Sequence, residues 1–283
     1  MEKRILLPTD FSKNALNAIR YALALYADQQ CDFYFLNVYQ VDGYNLDNAM
    51  MVPEPGESAF EAAKSKSEHR FKELMEILNL NPKNPKHTYH TISTFSFLFE
   101  AVENTIARHD IDIIVMGTKG RTGSHTVIYG TNTINLMEEV TECPVLAIPE
   151  DVRFAPPKEI VFPTDYKTPF KRRELNYLIE IGKMYGTAIR ILHVKEKEKL
   201  SQAQENNKEL LEDILKNTSH SFHSLEGVKV HTGINAFIES RNSDMVAFLN
   251  KKHRFFGSMW SNPLVKELGY HSRVPVFTLN DHS

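Results

Sequence analysis

The chain has 283 residues, of which 42% are hydrophobic and 24% charged, and its formal net charge is −3. Its length exceeds the usual size of one domain and favours two domains of roughly 140 residues each. The small net charge gives no electrostatic case for a nucleic-acid partner, and no segment reaches the ~20 apolar residues that span a bilayer. With no visible export signal, and with Cys31 and Cys143 lacking C-x-x-C spacing, we expect a cytoplasmic protein with reduced thiols.

Two segments of the chain open in the same way. An apolar stretch followed by Pro-Thr-Asp occurs at Ile5–Asp10 and again at Ile160–Asp165. Each copy continues with a helix-period stretch and a second apolar run, at 15–26 and 33–38 in the first copy and at 173–185 and 188–194 in the second. Both copies end on a strand that contains Pro-Val, at 143–148 and 274–279. The order of predicted elements is therefore repeated.

The segment between the copies is rich in proline. Residues 149–157 contain three prolines and few apolar positions, which is typical of a linker. We therefore predict a first domain at 1–150 and a second at 151–283. The stretch 231–244 is shorter than its assumed counterpart, 90–112, and predicts a shortened third helix in the second domain.

In the first half, five apolar runs alternate with helical stretches, at 4–8, 33–39, 87–92, 111–116 and 145–149. This alternation indicates βαβ units and a mostly parallel, doubly wound sheet. Ligands of such sheets bind at the carboxyl ends of the strands, where the strand order reverses. Asp10, Val38 and Gly117 should therefore converge on one crevice.

A glycine-rich loop follows the predicted strand that ends at Gly117. It carries Gly117, Gly120 and Gly123, with Lys119 and Arg121 between them, and precedes a helix that runs to about Glu139. Glycine allows a close approach of the backbone, and amide groups in front of a helix form an anion site. On its own this pattern fits a plain tight turn equally well.

The spacing of the glycines adds a more specific signal. Gly117-x-x-Gly120, nine residues, then Gly130-Thr131 resembles the ATP-binding signature of the universal stress protein family. Pro8-Thr9-Asp10-Phe11-Ser12 and Cys143-Pro144-Val145 resemble that family's first and last strands. The resemblance covers both copies and implies two tandem Rossmann-like domains of strand order 3-2-1-4-5, related by a pseudo-twofold axis. It also implies that their last strands meet edge to edge.

The resemblance also implies a nucleotide site in the first domain. Asp10 would lie beside ribose or adenine, Val38 would bind adenine through its backbone, and the glycines with Thr131 would hold ribose and phosphates. The full set of implied residues is Pro8, Thr9, Asp10, Val38, Met116, Gly117, Gly120, Arg121, Thr122, Gly130, Thr131 and Asn132. Two structural alternatives stay open: Asp10 could cap the following helix, and Thr131 could bond to its own helix.

The second half has lost the glycine spacing. Leu249–Lys252 align with the first glycines and Ser261-Asn262 with Gly130-Thr131, so bulky side chains stand where the backbone would approach phosphate. We therefore expect one ATP site per chain. The 40–58 loop has no counterpart in the second half and is either a lid, a contact surface or a surface insertion.

Three functions remain open. The chain could be a stress-response or signalling module that binds ATP, ADP or AMP with or without Mg²⁺, a slow ATPase, or an adaptor with a vestigial site. No hydrolase elbow, Walker P-loop or H-E-x-x-H motif occurs, so the sequence gives no evidence for catalytic or metal-binding residues. We expect an adenine nucleotide and an unidentified protein as partners, a homodimer as one further assembly, and neither nucleic acid nor membrane.

Overall fold

The computed structural model describes residues 2–41, 54–80, 82–119, 130–195, 199–250 and 272–280. The first half contains β1 (Lys3–Pro8), α1 (Lys13–Leu25), β2 (Cys31–Tyr39), α2 (Ser58–Asn79), β3 (His87–Phe95), α3 (Leu98–His109), β4 (Ile113–Gly117), α4 (Thr131–Glu139) and β5 (Val145–Ile148). The second half contains β6 (Glu159–Pro163), a 3₁₀ turn (Arg172–Leu175), α5 (Asn176–Tyr185), β7 (Ala188–Lys195), α6 (Gln202–Leu215), β8 (His220–Glu226), α7 (Val230–Arg241), β9 (Met245–Asn250) and β10 (Val276–Asn280). No helix within the described ranges combines the length and apolarity needed to cross a bilayer.

All of these strands belong to one sheet, in the order β3-β2-β1-β4-β5-β10-β9-β6-β7-β8. Pairing within each half is parallel, and each half has the predicted order 3-2-1-4-5. The halves meet where β5 and β10 pair antiparallel, with Val145 opposite Thr278 and Ala147 opposite Val276. This junction of the two last strands confirms the expected edge-to-edge contact, and it is the pairing that a local twofold axis produces. It also covers two strand edges that could otherwise recruit another chain.

Apart from the edge strands β3 and β8, whose residues are half-buried or exposed, the strands are buried on both faces, as expected for a parallel sheet. Ile5 and Leu7 face α1 and α2, whereas Leu6 faces α3 and α4, and all three side chains are fully buried. Both apolar layers continue into the second half, where α5 and α6 cover one face and α7 the other. Because the sheet and both layers run through both halves, the division into 1–150 and 151–283 stays a prediction.

The linker between the halves lies against α1. Asn17 Nδ2 donates to Pro149 O at 3.2 Å and to Val152 O at 2.8 Å, and Arg153 Nη1 donates to Asn17 Oδ1 at 2.8 Å. Asn17 is buried, so these bonds give its side-chain amide the partners that a buried polar group needs. They hold the second half against the helix that follows β1.

One sequence-based expectation about the second half was wrong. The third helix is not shortened: α7 and α3 both contain 12 residues. The preceding strand, β8, lies at His220–Glu226, upstream of the stretch 231–244 that was compared with 90–112. That comparison therefore set a helix alone against a strand with its helix.

An ion pair anchors the start of β6. Glu159 accepts hydrogen bonds from Arg241 through both carboxylate oxygens at 2.7 Å, from Arg190 Nε at 2.7 Å and from Ser243 Oγ at 2.8 Å. The hydrogen bonds from Arg241 are the largest of several effects that lower the pKa of Glu159 to about 2, against the cost of burial. This carboxylate therefore stays ionised in the folded protein except in strong acid.

Candidate functional site

The turn after β1 is held by its own polar side chains. Thr9 Oγ1 accepts a hydrogen bond from the Phe11 N–H, and Asp10 Oδ1 accepts one from the Ser12 N–H, both at 3.0 Å. These bonds accompany a left-handed backbone at Phe11, with φ at 61°, which is uncommon for a residue other than glycine. The N-cap of α1 is Ser12, whose Oγ accepts from the Ala15 N–H at 3.1 Å. The alternative that Asp10 caps this helix was therefore wrong.

The second half builds the same turn. Thr164 Oγ1 accepts from the Tyr166 N–H at 3.1 Å, Asp165 Oδ1 accepts from the Lys167 N–H at 2.9 Å, and φ of Tyr166 is 57°. The repeated Pro-Thr-Asp sequence thus specifies a turn, whether or not a ligand is bound beside it. Other features must distinguish a binding site from a purely structural turn.

The backbone of Val38 is one such feature. The Thr9 N–H donates to Leu36 O at 2.8 Å, which directs the polar groups of Leu36 toward β1. Alternate residues of a strand point their backbone N–H and C=O groups toward the same neighbouring strand, so those of Val38 point toward the β1 side as well. Because β1 ends at Pro8, opposite Leu36, the strand does not extend far enough to cover them. Thr9 O accepts a hydrogen bond from Asn37 Nδ2 at 2.7 Å.

Gly117, at the end of β4, is required by packing. A Cβ atom at this position would lie 2.9 Å from both Cγ and Oδ1 of Asn14 and 3.1 Å from its backbone carbonyl carbon. Asn14 is buried in α1 and its Nδ2 donates to Lys119 O at 3.2 Å. The side chain therefore ties the first turn of α1 to the beginning of the glycine-rich loop, and sequence reasoning did not identify it.

The two ends of the glycine-rich loop are joined across its base. The Gly130 N–H donates to Thr118 O at 2.6 Å, and the hydroxyl of Thr133 bonds to Gly117 O at 3.0 Å and to Thr118 O at 3.3 Å. Thr118 and Thr133 are both buried. These contacts place the N-terminus of α4 beside the carboxyl end of β4. Thr133 is a second site residue that the sequence signature did not reveal.

Gly130 differs from Gly117 because its neighbours leave space. It is the N-cap of α4 with φ at −76°, a conformation that other residues adopt readily. Of the atoms in the described part of the chain, the one nearest to an added Cβ would be Thr118 O at 3.5 Å, an ordinary van der Waals distance. Thr131 and Asn132 follow in the first helical turn with exposed side chains. Neither its backbone conformation nor its contacts with the described residues therefore demand glycine at position 130.

The predicted residues that the structure describes lie on adjoining elements. β1 is flanked by β2 and β4, so the carboxyl ends of three neighbouring strands adjoin. Pro8 and Gly117 are the last residues of β1 and β4, Val38 is the residue before the last of β2, and Met116 is buried one residue before Gly117. The predicted residues Gly120, Arg121 and Thr122 lie outside the described residues. So do most of the 40–58 loop and, in the second half, residues 251–271.

A separate groove of about 210 Å³ lies between α1 and α2. Its lining includes Thr9, Phe11, Leu16, Arg70 and Leu74. It shares Thr9 with the candidate site but none of the glycines or α4. Its volume is also below the roughly 300–1,000 Å³ usual for small-molecule sites, so we do not assign it to a ligand.

In the second half, the positions that correspond to the candidate site make contacts within the second half itself. Pairing of Leu6 with Ile114 and of Val161 with Val246 places Leu249 at the position of Gly117. In addition, two side chains of α6 donate to carbonyls of the turn after β6. Gln204 Nε2 donates to Asp165 O at 2.8 Å, and Asn207 Nδ2 donates to Tyr166 O at 2.7 Å. These contacts, and the leucine in place of glycine, set the second half apart from the first.

The polar groups at these strand ends are mainly those of the backbone. The described ranges contain no group of three His, Cys, Asp or Glu side chains placed to hold a metal ion. The strand ends instead offer backbone N–H and C=O groups next to a helix N-terminus, whose dipole and amides favour an anion.

Comparisons with known proteins agree with this fold. Residues 1–149 match the model of the universal stress protein family. A universal stress protein from Archaeoglobus fulgidus DSM 4304 shares 18% identity and a TM-score of 0.70, covering 98% of this chain and 96% of its own. A structure described as a putative universal stress protein from Pseudomonas aeruginosa UCBPP-PA14 shares 10% identity and a TM-score of 0.61, covering 98% and 93%. A search of curated proteins finds no match. Since the family model matches more than half of its residues, the chain belongs to the universal stress protein family.

Proposed function

We propose that the first half binds one adenine nucleotide, ATP, ADP or AMP, and that the chain acts as a nucleotide-responsive stress or signalling module. The observation that carries this proposal is Gly130. It opens the helix that faces the ends of β1 and β4, yet among the described residues the nearest atom to an added Cβ would be 3.5 Å away. A glycine that the fold does not require at a helix N-terminus is what close approach of a phosphate would need.

The phosphates would lie at the first turn of α4. Thr131 and Asn132 present their backbone amides there, and the exposed Thr131 hydroxyl would offer a further hydrogen bond. The family signature adds Gly120, Arg121 and Thr122 to this part of the site. Mg²⁺ would accompany ATP through its phosphates, in keeping with the preference of this ion for phosphate oxygens and water.

The adenine would lie at the end of β2. The backbone of Val38 faces the β1 side beyond Pro8, which supports hydrogen bonding to the edge of the base. Pro8 and Met116 would supply apolar contacts, and Thr9 with Asp10 would lie toward the ribose. Asp10 already holds the Ser12 N–H through Oδ1, so its orientation is fixed before any ligand arrives.

Titration calorimetry with ATP and Mg²⁺ tests this proposal in nucleotide-free protein. We expect one site per chain in the wild type, weaker binding in Gly130→Ala and loss of binding in Gly130→Val. Leu249→Ala, at the corresponding strand end of the second half, serves as the matched control and should bind like the wild type. Thermal unfolding of every variant shows whether any loss of binding comes from loss of structure.

Two results would overturn the assignment. Unchanged binding in Gly130→Val would exclude α4 from the site, and absence of binding in the wild type would favour an adaptor with a vestigial site. Phosphate release measured in the same samples separates a binding module from a slow ATPase. A protein partner and a homodimer remain predictions from the family resemblance.

A further inference from the structure

Helix α4 does not provide its own C-terminal cap. The last four carbonyls of a helix lack partners within it, and many helices satisfy them with a left-handed residue just beyond the end. Asp110 after α3 and Asn242 after α7 have this conformation. Val140 after α4 is extended instead, with φ at −67° and ψ at 126°. The carbonyls at this end of α4 therefore need partners from elsewhere.

Two asparagine side chains of the second half supply these partners. They are the last residues of β9 and β10, and both are buried, with 4% and 2% of their surface exposed. The contacts are Asn250 Nδ2 to Met137 O at 2.9 Å and to Glu138 O at 3.1 Å, and Asn280 Nδ2 to Val140 O at 2.9 Å and to Cys143 O at 2.5 Å. The C-terminal end of α4 is thus held by the other half of the chain.

The first half carries different residues at the corresponding positions. By strand register, Asn250 corresponds to Thr118 and Asn280 to Pro149. Proline has no side-chain donor, and Thr118 Oγ1 lies 3.4 Å from Asn14 Nδ2 within its own half. The two asparagines are therefore a departure from the repeat. They stand at the ends of the strands where the second half would otherwise present its own crevice.

The same helix begins at the candidate nucleotide site. α4 has nine residues and is about 13 Å long, so its C-terminal end lies only two to three turns from the end at the crevice. We propose that Asn250 and Asn280 are positioning residues that hold α4 in the register at which its N-terminal amides line the crevice. The second half thereby serves as a support for the site of the first half. The link to ligand affinity rests on the proposed function, whereas the support of α4 does not.

Hydrogen exchange of residues 131–139 in nucleotide-free protein tests the support directly. We expect exchange about tenfold faster in Asn250→Ala and in Asn280→Ala, and faster still in Asn250→Asp, which turns an acceptor toward carbonyl oxygens. Asn207→Ala is the matched control, because it removes an amide–carbonyl bond that lies wholly within the second half. It should leave exchange in α4 unchanged.

Calorimetric titration of ATP into the same variants tests the consequence. We expect the dissociation constant to rise about tenfold in Asn250→Ala and to stay at the wild-type value in Asn207→Ala. Hydrogen exchange at the wild-type rate in α4 of both Asn250→Ala and Asn280→Ala would refute the proposal that these residues support the helix. Faster exchange with unchanged affinity would refute its role in binding. If the wild type bound no nucleotide, the proposed function would fail, and the exchange experiment would still decide whether the second half positions α4.

Discussion

Replacement of Gly117 by alanine tests whether packing alone requires this glycine. The added Cβ would lie 2.9 Å from two side-chain atoms of Asn14, whose own position is fixed by its hydrogen bond to Lys119 O. Overpacking of a buried site costs about 1–3 kcal/mol, which for a chain of this length corresponds to a fall in melting temperature of about 2–5 °C. Gly130→Ala should change stability much less, since the nearest atom to its added Cβ among the described residues is 3.5 Å away.

A double-mutant cycle identifies the cause of that cost. Urea unfolding of Gly117→Ala, Asn14→Ala and the double variant gives the coupling between the two positions. Because Asn14→Ala removes the Cγ and Oδ1 atoms, we expect the double variant to be about 1 kcal/mol more stable than the sum of the single effects. The backbone carbonyl carbon at 3.1 Å remains, so the relief is partial. Wild-type stability of Gly117→Ala, or additive effects in the cycle, would refute this reasoning.

Two further predictions concern other parts of the molecule. Because the folded-state pKa of Glu159 is lowered from 4.5 to about 2, the stability that its ion pairs provide is complete above pH 4.5 and is lost as the pH falls toward 2. Glu159→Gln should therefore be less stable than the wild type by about 2 kcal/mol near pH 7, allowing for partial solvent screening. Urea unfolding at a series of pH values should show this difference in stability shrink in acid. A difference in stability that did not depend on pH would contradict the account. Thr133→Val removes the hydroxyl that bonds to Gly117 O and Thr118 O, so thermal unfolding should show a loss of stability of about 1–3 kcal/mol. Thr131→Val is the control, because Thr131 is exposed and its replacement should not cost this much. Equal effects of the two substitutions would argue against this role of Thr133.

The repeat made the fold predictable. Pro-Thr-Asp occurs at the end of β1 and of β6, and in both places the Thr and Asp side chains bond to the backbone two residues on. Such a turn is local, so its sequence is sufficient to mark the end of a strand. Two marked strands, with a similar series of apolar runs after each, indicated two repeated halves, and the family resemblance implied the strand order 3-2-1-4-5.

Contacts between distant segments were not predictable in the same way. Asn14 and Thr133 are 119 residues apart, yet both bind the segment that follows β4. Buried amide and hydroxyl groups of this kind have no local sequence pattern, because their partners are set by how helices pack on the sheet. The same holds for Asn250 and Asn280, which look like ordinary strand ends until the antiparallel junction of β5 and β10 brings them to α4.

Local reasoning also failed where two polar residues competed for one role. Asp10 and Ser12 are both good helix N-caps by type, and position in sequence did not decide between them. In the turn, Asp10 Oδ1 accepts a hydrogen bond from the Ser12 N–H. Ser12 Oγ accepts one from the Ala15 N–H and so caps α1. Asp10 therefore belongs to the strand end, near the proposed ribose position, and the helix starts without it.

Native mass spectrometry of the whole chain after incubation with ATP and Mg²⁺ tests the central claim most directly, because it counts the nucleotides bound to each chain. Our account predicts one adenine nucleotide per chain, and none in Gly130→Val. Two nucleotides per chain would contradict the loss of the second crevice, and none in the wild type would contradict nucleotide binding by the first.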